Sequence, residues 1–235
     1  MNPCSIFINP LFHLLFPARI SFYICIHAST AMIIKLYPQN PNPDYVRKVT
    51  RVFEDGGIVI YPTDTIYAMG CDIRATKSIE KIARMKGLNP GNPDMSMIFS
   101  SMSQLSEYTI IHDNNLFRLL KRNLPGPFTF IVQANSQIPV IFKHKKKTLG
   151  IRIPDNTITL ELVRDLGRPL MTTSIHDDDE ILEYITDPEL IHEKYFDFAD
   201  LVVDGGFGGN EPSTVVDCTG PEPVILRQGK GILDL

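Results

Sequence analysis

The apolar run Ile58-Val59-Ile60-Tyr61 ends at Pro62, and that stop constrains the fold more than any other feature of the chain. Four residues of this kind read as a buried strand, and proline lacks the N–H needed to continue a ladder. The strand therefore delivers Thr63, Asp64 and Thr65 together at its carboxyl end. In open α/β sheets, ligands sit just past that end. Thr65 is placed to cap a short helix, while Thr63 and Tyr67 offer hydroxyls to a small polar substrate. An ordinary strand-to-helix turn with a capping threonine would use the same residues.

Strand signals alternate with helical periods through the rest of the chain. Asp44 is expected to cap a helix running to Glu54, with Val46, Val49, Val52 and Phe53 on one face. Thr76 or Ser78 opens a second helix, with Ile79, Ile82, Ala83 and Met85 as its stripe and Gly87 as its stop. Further helices are expected over 115–122 and 158–166. Strands are expected over 95–99, 128–132, 148–153, 170–173, 201–203, 215–218 and 224–226. This alternation predicts an α/β fold, one twisted, mixed parallel and antiparallel open sheet flanked by helices. The late strands, with no helix between them, suggest that the far part of the sheet is antiparallel.

A length of 235 residues with 43% hydrophobic content suits one sizeable domain, and no linker, repeat or charge block divides it. The formal net charge of −4 argues against bulk nucleic-acid binding, which relies on many cations meeting phosphates. Cys4, Cys25, Cys71 and Cys218 have no zinc-type spacing, and the last two read as small apolar residues in a reducing compartment. The first 31 residues carry Arg19 as their one Lys or Arg, no acidic residue, and prolines at 3, 10 and 17. These break any long helix, so a membrane span is not supported. The segment reads as an extension before a start at Met32, with a signal peptide as the competing account. A cytoplasmic protein is expected.

No Ser-His-Asp order, zinc spacing, GxGxxG or Walker loop occurs. What remains is a scatter of hydroxyl and cationic residues at strand ends, which suits a nucleotide. Arg152, between Ile151 and Ile153, points away from an apolar face and needs an anionic partner or solvent. A triphosphate and a structural aspartate both answer that need. The run Lys143–Lys147 reads as an RNA contact or a solvated loop. Asp177-Asp178-Asp179-Glu180 reads as an Mg2+ contact or an exposed acidic turn.

Seven stretches resemble the YrdC-type domain of the threonylcarbamoyl-AMP synthases, in that family's order. They are YPTDTIYAMGCD at 61–72, KGL at 86–88, PGPFTFIV at 125–132, GIRIPDN at 150–156, PLMTTSI at 169–175, LVVDGG at 201–206 and STVVDCT at 213–219, with Arg227 beyond them. The similarity runs from about Met32 to the C-terminus and is nearest to the YciO branch. It implies a YrdC-like fold and an enzyme of the nucleotidyltransferase type, joining threonine, bicarbonate and ATP for tRNA modification. By the same resemblance Thr63, Thr65 and Tyr67 would hold threonine. Lys86, Thr129, Arg152, Ser174, Ser213 and Arg227 would hold ATP, with Mg2+ accompanying it. RNA and tRNA-modification proteins are the further partners it implies.

The family pattern breaks at three places. Ala68 stands where the synthases usually have glycine, Leu88 where they have the arginine of a lysine-x-arginine pair, and His176 where they have an asparagine. A lost charge-assisted bond is worth roughly 1.5–3 kcal/mol. Arg84, one turn before Leu88, is a possible replacement. The breaks leave two alternatives open, hydrolysis of threonylcarbamoyl-AMP or a related adenylate, and a non-catalytic double-stranded RNA-binding module.

Overall fold

Several helices begin where the sequence supplies a side-chain cap. In the computed structural model, which describes residues 32–90, 95–111, 113–138, 148–175 and 186–235, Asn42 caps the first helix. Its side chain accepts from the Asp44 N–H at 2.9 Å, and Pro43 fills the first turn, where its missing donor costs nothing. Asp44 therefore lies inside the helix rather than capping it. Asn156 plays the same part for a later helix, which Gly167 ends in the left-handed conformation at φ +71°.

The elements, in chain order, are β1 (Met32–Lys35), α1 (Pro43–Glu54), β2 (Val59–Tyr61), β3 (Ala68–Asp72), α2 (Thr76–Met85), β4 (Ser96–Ile98), α3 (Met102–Ser106) and α4 (Asn114–Asn123). They continue with β5 (Phe128–Gln133), β6 (Thr148–Arg152), α5 (Thr157–Leu166), β7 (Leu170–Ser174), α6 (Pro188–Tyr195), β8 (Leu201–Asp204), β9 (Thr214–Asp217) and β10 (Val224–Arg227). The strands form one sheet in the order β1-β8-β2-β3-β7-β4-β6-β5-β9-β10. Its pairing is mixed, as expected. The antiparallel pairs are not confined to the far part of the sheet, however. They join β2–β3, β3–β7, β4–β7, β5–β6 and β9–β10, while β8 runs parallel to β1 and β2, and β9 parallel to β5.

The largest departure from expectation follows Pro62. No helix starts at Thr65; the chain turns back as β3, antiparallel to β2, with Tyr61 opposite Ala68. The Thr63 hydroxyl donates to the Ile66 carbonyl at 2.7 Å and accepts from the Thr65 N–H at 3.1 Å. That closes a tight turn, and the fully buried Tyr67 and Ala68 then continue into strand.

Strand alternation divides the core between the two faces of the sheet. On one face Ile60, Met69, Met97, Ile151, Phe130 and Val216 pack beneath Ile79 and Ile82 of α2, Leu119 and Leu120 of α4 and Ile191 of α6. On the other, Val59, Tyr61, Ala68, Leu170, Leu201 and Val203 pack beneath α1 and α5. Those two helices cover the β1-β8-β2-β3 end. Over β7, β4, β6, β5, β9 and β10 the same face carries polar or small residues, Thr172, Ser96, Gly150, Arg152, Thr129 and Asp217 among them, and a cleft lies above them. The Tyr61 ring marks the boundary, edge-on to Phe53 at 6.1 Å with its hydroxyl donating to Thr172 Oγ1 at 2.9 Å.

The N-terminal extension, the basic run 143–147, His176 and the acidic turn 177–180 lie outside the described residues. Among those described, no helix is long and apolar enough to cross a membrane. Cys71 is buried in the core, Cys218 packs at its margin, and both are free thiols.

Candidate functional site

The cleft has a volume of about 570 Å³, and hydroxyl groups dominate its polar lining. Its most buried charge comes from β6. The Arg152 side chain, 7% exposed, donates from Nη2 to Asp64 Oδ1 at 3.1 Å and to Thr65 Oγ1 at 2.9 Å. So the anionic partner that Arg152 needs exists within the chain, in the turn after Pro62. Asp64 in turn accepts the Asp155 N–H on Oδ2 at 3.0 Å, and its carbonyl accepts from Lys230 Nζ at 2.6 Å. One residue thus ties the turn, the start of α5 and the C-terminal segment together. Burial pulls the Arg152 pKa below its ordinary value, with Asp64 opposing, yet a guanidinium stays charged in proteins. Among the described residues, Arg152 Nε is the buried side-chain nitrogen or oxygen that has no hydrogen-bond partner.

Proton counting sets what the two threonines can offer. Thr63 donates to Ile66, so the 3.0 Å contact between the two hydroxyls has Thr65 as donor. Thr65 Oγ1 therefore gives its proton to Thr63 and accepts from Arg152, while bordering the cleft. Thr63 stands behind it and does not line the cleft. Tyr67 also lies outside the lining. Its hydroxyl donates to the Gly206 carbonyl at 2.7 Å and accepts from the Gly205 N–H at 3.1 Å, and burial raises its pKa. It holds the Gly205-Gly206 turn in place.

The opposite wall comes from β5, β9 and β10. Thr129 and Ser213 hydroxyls meet at 2.8 Å, and Arg227 donates to the Ser213 carbonyl from Nη2 at 2.9 Å and from Nε at 3.3 Å. A register shift between Ile225 and Arg227 sets Arg227 opposite Val215, which pairs with Thr129 on its other side. Ser174, the last residue of β7, and Thr172 complete the lining. Gly229 is required here: a Cβ on it would lie 2.2 Å from the Pro212 carbonyl oxygen and 2.7 Å from Ser213 backbone atoms. Gly229→Ala is expected to lose about 1–3 kcal/mol in urea unfolding, since backbone must shift to admit the methyl. An unchanged midpoint would show that the contact is not required.

The lysine-x-arginine region departs from the resemblance for a structural reason. Gly87 adopts φ +65°, and the Leu88 N–H returns to the Ala83 carbonyl at 2.8 Å, closing the end of α2. Leu88 then packs on the core as the hydrophobic contact of that motif. Lys86 is the residue that ends α2 and does not line the cleft. Arg84 pairs with Glu80 on the exposed surface at 2.9 Å, so it does not replace the missing guanidinium. Sequence reasoning assigned no role to Asp64, Thr172, Asp217 or Lys230. Asp64 was visible between two threonines, but its partner lies 88 residues away.

Among the described residues, no three His, Cys, Asp or Glu side chains gather where they could hold a metal ion. A second cavity of about 480 Å³ lies between α4 and the turn after β9 and shares Thr219 with the cleft, but holds none of the residues expected to bind substrate.

A mixed sheet with one face half covered, and a hydroxyl-lined cleft over the bare half, defines an open-sheet α/β protein. The chain belongs to the Sua5/YciO/YrdC family: residues 51–229 match the family model described as telomere recombination. It is 36% identical to YciO of Escherichia coli over 198 residues, covering 83% of this chain and 94% of that protein. A threonylcarbamoyl-AMP synthase of Neisseria gonorrhoeae is 32% identical over 129 residues, covering 54% of this chain and 68% of the synthase. The crystal structure of E. coli YciO superposes with a TM-score of 0.79 at 34% identity, covering 86% of this chain and 97% of the other. P. abyssi Sua5 complexed with L-threonine gives a TM-score of 0.74 at 25% identity, covering 85% and 58%.

Proposed function

We propose that the cleft holds threonylcarbamoyl-AMP, with the phosphate between Arg152 and Arg227 and the threonine end near Thr65. The observation that carries this reading is Arg152 Nε, a buried donor without an acceptor on a residue that borders the cleft. A buried N–H left unpaired costs about 1–3 kcal/mol, so a ligand oxygen there is a favourable exchange. The Ser174 hydroxyl, and whichever of Thr129 and Ser213 accepts in their 2.8 Å contact, add donors for the remaining phosphate and acyl oxygens. A synthase would use the site to bring the carbamate of threonine onto the α-phosphorus of ATP, with pyrophosphate leaving. The protein's part would be positioning and charge neutralisation.

One observation favours the reverse sense, in which the adenylate is consumed. Among the described residues around the cleft, Arg152, Arg227 and the Lys230 ammonium on the Asp64 carbonyl stand against Asp64 and Asp217, which leaves one positive charge in excess. Lys86 stands outside the lining, so among the described residues the cations a triphosphate requires are few. The phosphate of an acyl-adenylate, with one ionised oxygen, needs fewer cations than a triphosphate and is the better match. Water would attack the mixed anhydride, giving AMP and the carbamate of threonine, which takes up a proton and falls apart to threonine and CO2.

Purified protein given threonylcarbamoyl-AMP is expected to release AMP above the rate of spontaneous breakdown, followed by chromatography. The same protein given ATP, threonine and bicarbonate is expected to form the adenylate at least tenfold more slowly than it consumes it. Rapid synthesis without breakdown would restore the synthase direction, and neither reaction at high enzyme concentration would remove both.

A further inference from the structure

We infer that Asp217 is a specificity-determining residue that receives the ribose hydroxyls of the nucleotide, so that the cleft selects ribonucleotides. This inference rests on the nucleotide reading of the cleft and adds to it. Asp217 and Val215 sit two apart on β9 and so face the same side of the sheet. Val215 pairs with Thr129 on one side and Arg227 on the other, while Asp217 pairs with Ile131 and Val224. The carboxylate therefore lies two residues, about 7 Å, along the strand from the row holding Thr129 and Arg227. That offset is close to the reach from the 5′-phosphorus of a nucleotide to its ribose hydroxyls.

The hydrogen bonding of Asp217 leaves one side of the group open. Oδ1 accepts both the Thr219 N–H, at 2.9 Å, and the Thr219 hydroxyl, at 2.7 Å, which fills its two lone-pair positions. Oδ2 has no hydrogen-bond or ion-pair partner among the described residues, and Asp217 borders the cleft. Thr219 thus fixes the orientation of the carboxylate and leaves Oδ2 as an acceptor. A carboxylate repels phosphate, so what it accepts from must be a neutral or cationic donor. Beside a phosphate-binding row, vicinal hydroxyls meet that requirement, and Oδ2 has lone pairs for both. A turn-stabilising role alone would use Oδ1 and gain nothing from Oδ2.

The test compares AMP with 2′,3′-dideoxy-AMP by calorimetry, for the wild-type protein and for Asp217→Asn. The asparagine keeps an oxygen for both Thr219 bonds, so the turn survives, but its other position becomes an uncharged donor. Wild type is expected to bind AMP roughly 10- to 100-fold more tightly than the dideoxy compound, the ratio given by a hydrogen bond to a charged group. In Asp217→Asn that ratio is expected to fall to about threefold or less. Equal affinities in wild type, or an undiminished ratio in the variant, would overturn the role of Asp217 while leaving nucleotide binding intact. Failure of wild type to bind AMP at all would overturn the nucleotide reading and this inference with it. The wild-type comparison needs no variant, so a misfolded Asp217→Asn would not rescue the idea.

Discussion

Asp64→Ala is expected to destabilise the protein by about 3–5 kcal/mol, because it strands a buried guanidinium. Both members of the Arg152–Asp64 pair are shielded, at 7% and 8% side-chain exposure, so water cannot replace the lost carboxylate. The same change removes the acceptor of the Asp155 N–H. Asp64→Asn keeps an oxygen and a similar shape, and should lose less than the alanine variant. The pair is distinguished from ordinary packing by a double-variant cycle. Asp64→Ala combined with Arg152→Met should cost clearly less than the two single changes added, since no charge is left to strand. Urea unfolding followed by circular dichroism reads all four proteins. An Asp64→Ala protein within 1 kcal/mol of wild type would mean that the pair contributes little to stability.

Stability is expected to fall by roughly 5 kcal/mol between neutral pH and pH 11. Tyr61, Tyr67 and Cys71 are buried, and burial pushes each of them far above its ordinary value of 10.0, 10.0 and 9.0. A neutral acid with a raised folded pKa contributes its full stability below the unfolded value. Above that value the unfolded chain ionises while the folded one does not, and each group costs about 1.4 kcal/mol per pH unit. The loss should therefore begin near pH 9 with Cys71 and steepen above pH 10 as the tyrosines join. Tyr67→Phe should start from lower stability, because the Gly205 N–H and Gly206 carbonyl lose their partner, yet show a shallower alkaline slope. Urea midpoints at pH 8, 10 and 11 give both slopes. A flat profile to pH 11 would contradict the protonated burial of these groups.

The parts of the fold legible in the sequence were those where local chemistry and tertiary context agree. Ile58–Tyr61 with Pro62 behind it could hardly be anything but a strand end, and Gly87 marked the end of α2. The return strand β3 was not legible, because Ala68-Met69-Gly70-Cys71-Asp72 has no β-branched residue. Its strand form is imposed by the ladders with β2 and β7 on either side. Thr65 misled for the same reason, since a hydroxyl good for capping is equally good for closing a turn. At the site, alternation identified Arg152 as a residue that needs a partner. Which partner depended on how the sheet brings residue 64 to residue 152, and nothing in either neighbourhood states that. Leu88 could be seen as a departure from the family pattern; that it closes a helix end on the core required coordinates.

The strand order has a consequence for how this protein comes into being on the ribosome. β1 and β2 are neighbours in the chain, yet in the sheet they are separated by β8, made some 140 residues after β2. At the other edge, β5 waits for β9 in the same way. A nascent chain that stops before residue 201 has neither pairing made, and the residues still to emerge include Ser213, Asp217, Arg227 and Lys230. Pairings of such long sequence separation fold slowly. A ligand that contacts those late residues would therefore meet no assembled site until β9 and β10 had emerged and paired.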